Sequence, residues 1–185
     1  MGMAYNIRLA TFEDRSRIQQ LIVESARGLS REHYSDAQIE AALATIFGVD
    51  SSLIEDDTYF VAESGGMLVG CGGWSKRRTL YGGDQAAMRD TSFLDPATDA
   101  ARIRAFFVHP DHARKGIAQA LLAKCESEAA ANGFREIELL STLPGVKFYK
   151  ACGFAEQGAY ELELVDRIKL GFVPMRKQLP QMNID

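Results

Sequence analysis

Arg114 and Lys115 stand directly before Gly116-Ile117-Ala118, where one kind of sequence pattern gives way to another. Upstream, the largely apolar run from Ile103 to Val108 reads as a buried strand. Pro110 and Asp111 turn the chain. Downstream, Ile117, Leu121, Cys125 and Ala129 recur at helical spacing. A strand that feeds a short glycine-containing loop into a helix makes an anion site. The first N–H groups of the helix have no internal partner, and the helix dipole favours negative charge there. Two cations at the same place strengthen this. The stretch from Phe106 to Gln119 therefore reads as a pyrophosphate cradle.

Other reactive residue types give weaker signals. His109-x-x-His112 with Asp111 lacks a further ligand and a hydrophobic shell, so it reads as a solvated turn and not a metal site. Cys152 reads as a buried, inert thiol on the inward side of a short helix. Arg102 and Arg104 alternate on one strand face, either as a partly solvated face or as a contact for an acidic substrate group. Trp74 is core or site wall. Neither a G-x-x-x-x-G-K-S/T loop nor a G-x-G-x-x-G fingerprint is present.

The elements that must position these residues follow from pattern. Tyr5 to Leu9 reads as a first strand. Thr11 to Asp14 is a capping box with Asp as its fourth residue, opening a helix that carries Ile18, Leu21 and Ile22. Ser35 and Gln38 cap a second helix, with Gly48 as its stop. Thr58 to Glu63 and Met67 to Trp74 form a hairpin about Gly65-Gly66. Gly70, Gly72 and Gly73 in the second of these strands mark a bulge or a close approach to the backbone. From Lys76 to Asp99 periodicity fades into a long loop, with a short helix expected around Gln85 to Arg89. Arg102 to Val108, the helix ending at Asn132-Gly133 and Arg135 to Leu140 make a βαβ unit and hence a parallel strand pair. Pro144 opens a short helix that Gly153 ends. Ala159 to Val165 and Lys169 to Met175 close the fold as a hairpin.

Bulk properties bound the function. The chain of 185 residues suits one domain, 1–185, and its 46% hydrophobic and 25% charged content is ordinary for a soluble globular protein. A net charge of −4 argues against a nucleic-acid partner. The three scattered cysteines suit a reducing compartment. No basic-then-apolar leader and no membrane-length run occurs, so the expectation is a cytoplasmic protein with no membrane partner.

In order and residues the chain resembles the GNAT superfamily, the N-acyltransferases that use acetyl-CoA. That family's motif Q/R-x-x-G-x-G/A at a helix start is matched by Gly116 and Ala118, with Ala113 in place of the leading Gln/Arg. A second motif, an aromatic-Tyr helix ending in Gly-Phe, is similar to Phe148-Tyr149-Lys150-Ala151-Cys152-Gly153-Phe154. Pro144 stands where the family often has Asn. The resemblance implies an α/β, GNAT-like single domain, with a mixed, strongly twisted sheet of six to seven strands flanked by about four helices. It implies a gap between the strands ending at Val108 and Leu140. The pantetheine arm of acetyl-CoA would lie there along Phe106, Phe107 and Val108 like an added strand. The pyrophosphate would rest on the N–H groups of Arg114, Lys115, Gly116, Ile117, Ala118 and Gln119. No metal is implied, and a homodimer is compatible.

Acetyl transfer to an amine has three demands. An amine with a pKa of roughly 10.4 is neutral about once in 2,500 molecules at pH 7, a cost on the order of 4.6 kcal/mol. Glu63, Asp84, Asp90, Asp95 and Asp99 are open candidates for the base. The developing oxyanion needs a donor, for which a main-chain N–H on the strand ending at Val108 is suited. The leaving thiolate needs a proton, a role the resemblance assigns to Tyr149; phenol and thiol pKa values lie within about two units. The expected activity is direct transfer from acetyl-CoA to a small-molecule or peptide amine in a ternary complex. The acidic balance and the Asp84 to Asp99 carboxylates point to a cationic acceptor. The alternatives are a non-catalytic acyl-CoA-binding sensor and a nucleotide-binding protein that uses the same loop.

Overall fold

A computed structural model describes residues 4–180. Strand β1 (Asn6–Leu9) leads through a 3-10 turn into helix α1 (Arg15–Leu29), followed by α2 (Asp36–Thr45) and α3 (Ser51–Glu55). The hairpin β2 (Tyr59–Ser64) and β3 (Met67–Ser75) comes next. After a long connection come β4 (Ala101–Val108), α4 (Ile117–Ala131), β5 (Glu136–Thr142) and α5 (Val146–Ala151). The chain closes with β6 (Ala155–Glu156), β7 (Tyr160–Glu163) and β8 (Lys169–Gln178).

Local chemistry explains most of these boundaries. Thr11 N–H donates to Asp14 Oδ2 at 2.9 Å at the entry to α1. Ser35 and Gln38 cap each other reciprocally, with Gln38 N–H on Ser35 Oγ at 3.2 Å and Ser35 N–H on Gln38 Oε1 at 2.9 Å. Gly65 and Gly66 take φ of 57° and 79°, the left-handed pair that a tight hairpin turn needs. Helix α2 ends at Thr45 rather than at Gly48. Gly48 has a different role: the Gln85 side chain lies where its Cβ would be.

The strands form one mixed sheet in the order β1-β2-β3-β4-β5-β8-β6, with β7 also on β8. Among the described residues it has eight strands rather than six or seven. The two-residue β6 is too short to show a period. Among the described residues five α-helices flank the sheet rather than about four, because α3, capped by Asp50 through Ser52 N–H, gives no amphipathic pattern over so short a run. Two apolar clusters cover the two faces. Helices α1 and α2 pack one face with Ile18, Ile22, Ile39 and Val61. Helices α4 and α5 pack the other with Leu121, Cys125, Ile137 and Tyr149.

The 76–99 segment contains no helix around Gln85 to Arg89. Met88 takes φ of 56°, and the segment's polar groups reach to other elements instead of closing a helical turn. Arg77 grips Asp56 with two 2.7 Å bonds, and Arg77 and Phe93 form a β-bridge. Asp84 accepts from Ser51 N–H and Ser51 Oγ.

Candidate active site

Strands β4 and β5 are parallel, and they pair only at Ala101 with Ile137 and Arg102 with Glu138. Beyond Arg102 they part, which leaves the outer edge of β4 without a neighbouring strand. A groove of about 960 Å³ occupies the opening. Its walls include Phe106, Val108 and Tyr149 from the α4/α5 face and Ala105, Phe107 and Phe172 from the α1/α2 face. It is therefore a slot through the sheet, with a mouth on each side.

A bulge sets the geometry of β4. Gly70 to Cys71 pair with Val108 to Phe107, and Gly73 pairs with Arg104, so Ala105 and Phe106 together oppose Gly72. Ala105 takes φ of 53°, a left-handed conformation that costs a non-glycine residue roughly 1–2 kcal/mol. Its carbonyl is held by the Tyr59 hydroxyl at 3.3 Å and the Cys71 thiol at 3.6 Å. The glycines of β3 make room for this. The Phe106 ring lies 2.5 Å from where a Gly72 Cβ would stand, and Ile117 lies 2.6 Å from that of Gly70. Phe106 meets Tyr149 edge-on at 6.5 Å, while Phe107 meets Phe47 at 5.7 Å on the opposite face. The Val108 N–H faces the slot and donates to Ser25 Oγ at 3.3 Å.

At the α4 mouth, Arg114 and Gly116 take φ of 61° and 80°. Gly116 is the N-cap of α4, with no side-chain cap, and nothing lies within 4 Å of where its Cβ would be. The bonded backbone resumes with Ala120 N–H on Gly116 O at 3.0 Å. Arg114, Gly116, Ile117, Ala118 and Gln119 all line the groove. Lys115 does not; its ammonium folds back onto Asp111 O at 2.7 Å. Lys147 of α5 lines the groove instead, a cation with no motif signal. This donor set, bare amides at a helix start beside Arg114 and Lys147, suits a diphosphate.

Tyr149 is 8% exposed and lines the groove from α5, between Phe106, Phe148 and Phe154. Burial raises its phenol well above the usual tyrosine range, so the proton stays on at all ordinary pH. Pro144 lies in the 3-10 turn before α5 and also lines the groove.

Several sequence expectations do not survive the geometry. None of Glu63, Asp84, Asp90, Asp95 and Asp99 reaches the groove. Glu63 is held by Arg8 and Arg17, Asp84 by Ser51, Asp90 by Ser92, and Asp99 by Arg78 and Asp95 N–H. Asp95 accepts from Ala97 N–H. The carboxylates of the 76–99 segment thus give no reason to expect a cationic acceptor. Glu32 is the one carboxylate along the groove among the described residues, with His33 beside it. Arg102 pairs with Glu138 and Arg104 with Asp50, so neither is a solvated face or a free contact for a substrate anion. Trp74 is core, packed on Phe134 and away from the groove. Cys152 is half-buried rather than buried, but burial still raises its pKa, which favours an inert thiol. His109 contacts Glu24 at 3.3 Å and accepts from Asp111 N–H.

Side chains that sequence reasoning missed wall the α1/α2 end: Ile46, Phe47, Tyr81, Leu143 and Phe172. Tyr34 ties that end together, donating to Gly171 O at 2.7 Å and accepting from Leu143 N–H at 2.8 Å. Apart from the adjacent Ile46 and Phe47, these residues are so far apart in the chain that no spacing connects them.

A sequence model described as the acetyltransferase (GNAT) family matches residues 16–154. No curated protein matches the chain. Among solved structures, the chain is similar to a GCN5-related N-acetyltransferase from Rhodopseudomonas palustris, at a TM-score of 0.70 and 19% identity over 97% of this chain and 99% of that one. It is similar to the PaiA N-acetyltransferase of Thermoplasma acidophilum, a complex with coenzyme A, at 0.63 and 16% over 95% and 99%. A phosphinothricin acetyltransferase from Sinorhizobium meliloti, in complex with acetyl-CoA, matches at 0.63 and 20% over 96% and 89%. At such identities the likeness is one of fold.

Proposed function

We propose, from the premise that the chain belongs to the acetyltransferase (GNAT) family, that it moves an acetyl group from acetyl-CoA to a primary amine by direct attack in a ternary complex. The observation that carries this is the parting of β4 from β5 after two residue pairs, with the bare N-terminus of α4 at one mouth of the opening.

In this reading the amides of 114–119 and the cations of Arg114 and Lys147 hold the diphosphate. The free edge of β4 from Phe106 to Val108 pairs with the amide-bearing arm, as a strand would. The Val108 N–H is aimed at the slot. Its 3.3 Å bond to the neutral Ser25 hydroxyl is long, and an oxygen gaining negative charge would compete well for it. Tyr149 supplies the proton for the leaving sulfur. Each unit by which the phenol pKa exceeds that of the thiol makes this transfer about 1.4 kcal/mol harder. Burial raises the phenol, but the same dry slot raises a thiol as well, which keeps the gap small. A desolvated slot also favours the neutral form of the incoming amine, which lightens the work left for Glu32, His33 or a water chain.

The test is release of free thiol from acetyl-CoA in the presence of a varied amine library, alongside calorimetry with coenzyme A. Amine-dependent release supports the reading. Coenzyme binding with no turnover on any amine would favour a sensor instead. No binding at all would remove both.

A further inference from the structure

The groove's two ends differ in chemistry, and the difference bears on what the acceptor is. At the α1/α2 end the walls are mainly apolar, Phe47, Tyr81, Phe107, Leu140, Leu143 and Phe172, with the uncharged Ser141 and Thr142 beside them. Phe47 and Phe107 pack edge-on, and Tyr81 leans on Tyr160 of β7 at 6.3 Å, so the walls are braced from behind. The nearby charges are already matched. Arg104 is 4% exposed, its Nη2 lies 2.9 Å from Oδ2 of the fully buried Asp50, and its guanidinium donates to Thr79 O and Gly82 O. Arg89 sits on the other oxygen of Asp50 at 2.9 Å. Among the described residues no unpaired lysine or arginine lines this end to receive an acceptor's carboxylate, and His33 stands exposed beside Glu32. Among the described residues no carboxylate lies within to receive a second ammonium; Glu32 stands exposed on the loop between α1 and α2.

We infer that the acceptor is a monoamine on an apolar, ring-sized body, and not an amino acid, a polyamine or a lysine in a charged peptide. This rests on the acetyl-transfer reading above. The amine enters past Glu32, one negative group for one positive charge. Its apolar body fills the space between Phe47, Tyr81, Phe107 and Phe172, where burial of apolar surface is favourable. A carboxylate or second ammonium carried into the same space loses its water with no oppositely charged group inside to replace it.

The experiment compares kcat/KM for 2-phenylethylamine, phenylalanine and 1,4-diaminobutane with saturating acetyl-CoA. Phenylalanine adds only a carboxylate to the first, and diaminobutane replaces the ring with an aminoethyl group that carries a second amine. The expected result is that 2-phenylethylamine exceeds each of the others by about tenfold or more. Equal or better turnover of either competitor overturns the inference while leaving acetyl transfer intact. Failure of all three overturns it too, and the amine library with coenzyme calorimetry then decides separately whether acetyl transfer stands. Tyr81 is half-buried on a connecting segment, so Tyr81→Ala should fold. It should raise the KM for 2-phenylethylamine at least about fivefold and leave coenzyme A affinity unchanged; an unchanged KM contradicts the assignment.

Discussion

At the α4 end the groove is lined by one short run, Arg114 and 116–119, whose first helical amides have no side-chain cap, whereas at the α1/α2 end it is lined by side chains at 47, 81, 107, 140, 143 and 172. The first end is polar and bare, with Gly116 open to solvent. The second is mainly apolar and buttressed, and the Arg104 guanidinium at its edge is occupied by the buried Asp50, which Arg89 also contacts. A helix N-terminus needs few residue identities to bind an anion, because the backbone does the work. A side-chain pocket is specific to whatever fills it. One end can therefore serve a shared co-substrate while the other selects an acceptor.

Substitutions can test whether the two ends are separable. The largest effect is expected where they meet. Tyr149→Phe should lower kcat by about 10²–10⁴-fold, with coenzyme and amine affinities little changed; an unchanged kcat removes the acid role. Arg104→Met breaks a buried pair and should cost about 3 kcal/mol in urea unfolding. It also frees the 79–82 backbone, so the amine KM should rise while coenzyme affinity stays put. If both affinities fall together, the ends are not independent. Gly116→Val places a branched side chain at φ of 80° in the α4 mouth. Coenzyme affinity should drop roughly 30-fold without altering the preference among amines, measured by calorimetry and competition.

The smallest effect concerns acid. Asp14 at the start of α1 accepts from two nitrogens of Arg8, at 2.7 and 2.9 Å, which holds its carboxyl down to about 2 against an ordinary 3.8. The folded-state pKa is depressed. The stabilisation is therefore complete above pH 4 and is lost as pH falls from about 4 to 2, at most about 2 kcal/mol. Urea titrations should show this acid loss for the native chain and much less for Asp14→Asn. Equal acid sensitivity in the two would mean that the pair does not fasten α1, the helix behind the apolar end of the groove.

How far the sequence could be read follows the same division. The α4 mouth was legible because strand, turn, glycine and helix are contiguous, and each leaves a local signature. The Ser35 and Gln38 caps and the Gly65-Gly66 turn were legible for the same reason. Lys115 misled because adjacency in sequence does not say where a long side chain folds; it caps the preceding turn, while Lys147, remote in sequence, lines the groove. The walls of the α1/α2 end were illegible because Phe47, Tyr81 and Phe172 meet only through the tertiary fold. The 76–99 segment was illegible too. Its order comes from contacts with Asp56, Ser51 and Arg104, not from any period of its own. The glycines of β3 announced a close approach, and only the structure identified its partners as Phe106 and Ile117.

Titration of the folded protein with coenzyme A and, in parallel, with pantetheine, which lacks the diphosphate, bears most directly on the whole account. Several charge-assisted bonds at the α4 mouth should make coenzyme A bind at least about a hundredfold more tightly than pantetheine. Equal affinities, or no heat from coenzyme A, would contradict it.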